Sequence, residues 1–433
     1  MRFASWMGLL SMLAPLAAAR GATHHVPAEY VTIQGGVDAA VAGDTVLVAP
    51  GVYSEFEVRF GQFGLLSACL FLKDGVVVRS EGGALVTSID RMGIATAEPS
   101  YTVYGTGALD AGVAVEGFRI TGNPPSGVAI TVAGFSGELL VRDCAVEDLP
   151  GGAFNIRYGK VLLKDTTVRT GGAQGFFGIG ANVTVEGCLF DGNSPAIRCS
   201  GDDIVPPQHL TVRNSSFRNN AANEGAGIAV SDYFNGVLIE DCVFENNTAG
   251  SGGAVFAIGV GPKVIRGNLF VNNRAEGDSF ARGGAMRVSQ NVVTIEGNTI
   301  VDSFQEGPSG GAAINATVTA PGSVIRNNVI AGSTGNIAVR VANGTATTSC
   351  NVFWNNVEGD IVGVPLDPTD QVADPLFCDP PSENYYVSTA SPCLPENNPN
   401  CVDLIGAFGA ACGFVSIESM SWGRLKGIYR VGE

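Results

Sequence analysis

Several charged residues in the middle of this 433-residue chain are of types that do chemistry. Asp202 and Asp203 are adjacent, and two carboxylates held together can divide the work of a general acid and a general base. Arg198 stands just before them, and Arg287 occupies the matching place in a later segment, near Glu276 and Asp278. Guanidinium groups pair with carboxylates, so this set would suit an acidic saccharide. Elimination from a uronic-acid polymer would also need Ca2+ held by Asp or Glu oxygens, with an Arg or Lys base on the same face. A plainer reading competes with each use. Asp202 and Asp203 open an excursion through Pro206-Pro207 to His209, as ordinary loop residues do. Arginines on an exposed strand beside acidic loops are common surface pairs. The sequence therefore assigns no catalytic residue, and Arg198, Asp202, Asp203 and Arg287 stand as the candidates for a diverged site.

Composition narrows the classes. With 59 Gly and 15% charged residues the chain is Gly-rich and charge-poor, yet 45% is hydrophobic, enough to bury a large core. The net charge of −16 argues against nucleic acid, because phosphate binding needs clustered Lys and Arg. Met1-Arg2, an almost uncharged run from Phe3 to Ala19, and Arg20-Gly21-Ala22 predict a signal peptide over 1–22 and an exported mature chain without a transmembrane segment.

The elements that must position these residues follow from a repeat. An aliphatic residue, two more residues of which the first is usually charged, a small polar residue, any residue, and an aliphatic or aromatic one recur in eight clear copies. Val141 to Val146, Ile239 to Phe244 and Ile325 to Ile330 are examples. The fourth positions, from Phe118 to Asn351, are 22 to 30 residues apart. Apolar positions alternate with a period of two on either side of a bend, and about ten residues later Gly-Gly-Ala or a variant opens another strand. Repeats of this length stack because none can bury its apolar face alone. The predicted fold is all-β, a single-stranded right-handed parallel β-helix of about 11–12 coils over 23–363. Cys144, Thr166, Cys188, Ser215, Cys242, Asn268, Asn298 and Asn328 should form an internal polar ladder at the bend. The second positions, from Lys164 through Glu186, Arg213, Glu240, Arg266 and Glu296 to Arg326, alternate in sign and should pair outside.

Open ends of a stack need covers. Thr32 should cap a short helix with Ile33, Val37, Ala40 and Val41 on one face. Residues 364–412, rich in Pro and Cys, should form a C-terminal cap, and 413–433 a basic tail or sorting signal. Cys378, Cys393, Cys401 and Cys412 are expected in two disulfides, with Cys378–Cys393 and Cys401–Cys412 favoured among three connectivities. Cys144, Cys188 and Cys242 lie two coils apart, too far to bridge, and should be buried thiols, while Cys69, Cys199 and Cys350 are unassigned.

Tyr30-Val31-Thr32-Ile33-Gln34, Val37-Asp38-Ala39-Ala40 and Gly43-Asp44-Thr45 through Val52-Tyr53 resemble the opening of bacterial right-handed parallel β-helix proteins of the pectin-lyase-like superfamily. The Phe-x-x-Asn motifs at Phe190, Phe217, Phe244 and Phe270, with Gly-Gly-Ala downstream, resemble the repeats of chlamydial polymorphic outer-membrane proteins. The resemblance implies the fold, which hosts lyases, hydrolases, epimerases and adhesins, rather than one activity. Of the polygalacturonase-like motifs only the Asp-Asp element is matched, by Asp202-Asp203. The expected function is an exported, non-catalytic, adhesin-like β-helix at the cell surface or secreted, binding polysaccharide or a cell-surface partner without a cofactor. The alternative is a polysaccharide lyase or glycoside hydrolase for acidic glycans, with Ca2+ if it is a lyase.

Overall fold

The computed structural model describes residues 21–412 apart from 62–63, 93–97, 108, 123–126, 204–207, 233, 278–280, 319 and 344–345. The expected signal peptide, except for its last two residues, and the 413–433 tail lie outside the described residues.

The chain winds into a parallel β-helix. Each coil contributes a strand to a first ribbon, such as Ile197–Ser200 or Met286–Ser289, and one to a second ribbon, such as His209–Arg213 or Val293–Glu296. After the bend comes a third ribbon of 13 parallel strands, running from Gly51–Tyr53 to Gln371–Val372. The first and second ribbons join into one 24-stranded sheet, since Phe154–Lys164 and Phe176–Glu186 pass through both without a break. Four middle coils add a short fourth ribbon: Ala221–Glu224, Thr248–Ser251, Arg274–Ala275 and Phe304–Gln305.

Backbone conformation explains the motif. Its third position is left-handed in nine successive copies: Asp143, Asp165, Gly187, Asn214, Asp241, Gly267, Gly297, Asn327 and Cys350, with φ between 48° and 65°. Asp, Asn and Gly tolerate that region best, which restricts this position to them in every copy but the last. The fourth side chain then points inward and satisfies the bend. Asn268 Oδ1 accepts from the Cys242 amide at 2.9 Å, and its Nδ2 donates to Ile239 O at 3.1 Å and to Asn298 Oδ1 at 2.9 Å. The same contacts continue through Asn328 and Asn351, and the ladder ends on Asp370 Oδ1 at 2.9 Å. A second ladder, Asn193–Asn220–Asn247–Asn273, comes from the Phe-x-x-Asn motifs, with amide contacts of 2.9–3.0 Å. Beside it Phe190, Phe217, Phe244 and Phe270 stack with centroids 5.2, 4.9 and 4.8 Å apart, the separation set by the rung spacing. All four are fully buried, and each contributes about 1.5–3 kcal/mol. Gly253 allows the backbones to close in, because a Cβ there would lie 2.2 Å from Gly284 O.

The outward charges pair as the alternation predicts. Lys164 meets Glu186 at 3.7 Å, Glu296 meets Arg326 at 2.9 Å, and Glu240 lies between Arg213 and Arg266. Burial would raise the Glu240 carboxyl, but Arg266 and Arg213 together hold it below its ordinary value.

At the N-terminal end the helix Ile33–Ala39 is capped by Thr32, whose Oγ1 accepts from Gly35 N–H at 3.0 Å. Val41 departs from expectation: it lies beyond the helix and is 63% exposed. The C-terminal segment leans on the side of the stack as well as its end. Tyr385 and Phe408 cluster with Val243 and Val301 of the third ribbon, and Gly406 N–H reaches Asn327 O at 2.7 Å.

That path corrects the disulfides. The bridges are Cys350–Cys401 and Cys378–Cys412, with Cα separations of 5.7 and 5.0 Å. The segment folds back so that Cys401 meets Cys350, at the last copy of the motif. Cys393, expected in a bridge, is a free thiol buried against Val329, Val352 and Ile405. Cys144, Cys188 and Cys242 are buried thiols as expected, and so are Cys69 and Cys199.

Candidate functional site

Strand register places the candidate arginines. Arg198, Ala229, Phe256, Arg287, Asn315 and Arg340 occupy one column of the first ribbon on successive rungs. Arg198 and Arg287 are thus three rungs apart, about 14 Å at the usual strand spacing. Arg198 and Arg340 are exposed. Arg287 is half-buried: its Nη1 donates to Ser251 Oγ at 3.0 Å and its guanidinium lies 5.5 Å from the Phe256 centroid. Burial, then the neighbouring Arg282, pushes Arg287 below its ordinary pKa. Phe256, in the same column, is 3% exposed, covered by Arg287 and by the backbone at Gly225 and Gly252.

The two aspartates do not share one environment. Asp202 accepts from Tyr158 Oη at 2.9 Å, and Gln208 clamps its backbone on both sides, at 3.0 Å to its N–H and 2.6 Å to its carbonyl. Through that hydrogen bond the carboxylate raises the Tyr158 phenol above its ordinary value. Asp203 points to solvent. Glu276 pairs with Arg274 at 3.2 Å, and Asp278 lies outside the described residues. Among the described residues no three His, Cys, Asp or Glu side chains gather as a cation-holding set.

The first ribbon differs from its neighbours in how its cations are treated. The outward arginines of the other ribbons have carboxylate partners: Arg142 with Glu116 at 2.8 Å, Arg119 with Glu147 at 2.6 Å, Arg169 with Asp191 at 3.3 Å and Arg218 with Glu245 at 3.2 Å. Arg157, Arg198, Arg287 and Arg340, all on the first ribbon, make no ion pair among the described residues, and neither does Arg282, which leads into it. Sequence reasoning named Arg198 and Arg287 but missed Arg157, Tyr158 and the contrast itself. Tyr158 has φ 56° inside a strand, a departure that alternation does not reveal.

These stacked coils, bend ladders and short capping elements define a right-handed β-helix repeat protein, and residues 102–257 match the family model described as right handed beta helix region. A 68-residue stretch is 38% identical to the probable autotransporter YfaL of Escherichia coli (strain K12); it covers 16% of this chain and 5% of that protein's length. Among solved structures, the A-module of the Azotobacter vinelandii mannuronan C-5 epimerase AlgE6 aligns at 15% identity and TM-score 0.50, covering 79% of this chain and 95% of that one. The pectate lyase Pel9A aligns at 15% identity and TM-score 0.41, covering 87% of this chain and 90% of its own. At 15% identity the likeness to the epimerase module is one of fold.

Proposed function

We propose that this chain is an exported binding protein that holds an acidic polysaccharide along the first ribbon, without transforming it. The carrying observation is the column of arginines left without carboxylate partners in a chain of net charge −16. A chain so rich in acid pairs its other outward arginines, so leaving these unpaired is consistent with a partner that brings its own carboxylates. Asp202 accepts from Tyr158 Oη whereas Asp203 is exposed, so the two carboxylates differ in surroundings. Two disulfides fit an oxidising, extracytoplasmic compartment. No helix among the described residues is long and apolar enough to cross a membrane.

Titration calorimetry with polygalacturonate and alginate tests the reading. The doubly substituted Arg198→Ala, Arg340→Ala chain should bind at least one of them about tenfold more weakly, and added salt should weaken the parent. Equal binding by parent and variant would overturn it. Release of unsaturated ends at 235 nm, lost in Arg287→Ala, would replace it with the lyase alternative.

A further inference from the structure

A second surface lies where the C-terminal segment folds back over the third ribbon. The column Val271, Val301, Ala331, Trp354 runs outward along that ribbon. Val301 and Ala331 are covered, whereas Trp354 remains 40% exposed. Between ribbon and segment lies a groove of about 600 Å³. Trp354, Asn355 and Asp302 line its ribbon side, and Asp374, Leu376 and Ser388 its other side. Gly332 seats the Asp302 carboxyl against the ribbon, since a Cβ there would lie 2.2 Å from Asp302 Oδ1.

The lining has an uneven chemistry. Among the described residues no Lys, Arg or His borders the groove, and neither aspartate makes an ion pair. Asp374 Oδ1 accepts from Leu376 N–H at 2.8 Å, and its second oxygen makes no hydrogen bond among the described residues. Desolvation raises the Asp302 carboxyl above its ordinary range. An aromatic face beside carboxylate acceptors and a primary amide matches a pyranose ring, which offers one C–H face and a rim of hydroxyl donors. A uronate would bring a further carboxyl group to a rim already lined by two.

We propose that this groove is a second saccharide site, specific for an uncharged sugar unit stacked on Trp354 and hydrogen-bonded to Asp302, Asp374 and Asn355. It is distinct from the arginine column in place, in charge and in ligand class, so either site can fail without the other.

Titration with neutral hexasaccharides of glucose, xylose and mannose, a glucosamine hexamer and hexagalacturonate tests it on the full chain. At least one neutral oligosaccharide should bind, about tenfold more weakly to Trp354→Ala. Trp354→Phe should restore part of the loss, and Arg198→Ala with Arg340→Ala should leave it unchanged. Asp374→Asn, which keeps an acceptor for Leu376 N–H, should weaken binding without altering thermal stability and supplies the measurement if Trp354→Ala does not fold. Failure of every neutral oligosaccharide to bind, binding indifferent to both Trp354→Ala and Asp374→Asn, or binding of the cationic glucosamine hexamer alone would each overturn the proposal.

Discussion

Single residues in this protein are governed by how completely the coil surrounds them. Burial pushes the thiols of Cys69, Cys144 and Cys188 up to about 12 and that of Cys393 up to about 11. The native protein should therefore resist thiol reagents at pH 8, and denaturation should release six reactive thiols. The same groups fix a pH dependence. Below about pH 9 the thiols are neutral in both states; above it the unfolded chain ionises while the native one holds its protons, so stability should fall from about pH 9 towards 12. Lys263 acts in the opposite sense: burial lowers it to about 8, so between there and the ordinary lysine value a rising pH favours the folded state. Several thiols outweigh one amine, and urea midpoints at pH 8 and 10.5 should show a net loss that Cys188→Ala reduces. Burial was legible for Cys144, Cys188 and Cys242, which share the motif's inward position two coils apart, but not for Cys69 and Cys199, which were unassigned, nor for Cys393, expected in a bridge. The disulfide partners were not, because nearness along the chain says nothing about where a returning segment meets the stack.

At the scale of the element, the bend is the unit of construction. Asn298 satisfies the Asn268 amide, the Ile265 carbonyl and the next rung through Asn328. Asn298→Ala should leave several buried groups without partners, each costing about 1–3 kcal/mol, and chemical denaturation should show a correspondingly lower midpoint. Asp241 tests the other half of the bend. With φ at 56° its backbone is one that Gly adopts without strain, whereas Asp241→Val should cost at least about 1–2 kcal/mol in the same assay. The repeat, the inward ladder and the outward charges could all be read from the sequence because each is local and recurs with the coil. The second asparagine ladder was present as Phe-x-x-Asn, yet its role depends on side chains 26 or 27 residues apart lying one rung apart.

For the whole molecule, the disulfides tie the C-terminal segment to the stack. Cys350–Cys401 closes a separation of 51 residues and joins the last coil to that segment, while Cys378–Cys412 closes 34 within it. Cys401→Ser should lower stability by about 2–5 kcal/mol and expose 364–412 to limited proteolysis before the coils are cut. By itself the sequence determined that the chain is a stack of parallel coils, which residues face in, and that its outer charges alternate, since these follow from a period repeated along the chain. Only the tertiary structure decided which arginines lack partners, that Asp202 belongs to Tyr158, and that a groove opens beside Trp354. Those facts depend on which rungs become neighbours and on where an irregular segment returns, and no periodicity encodes either.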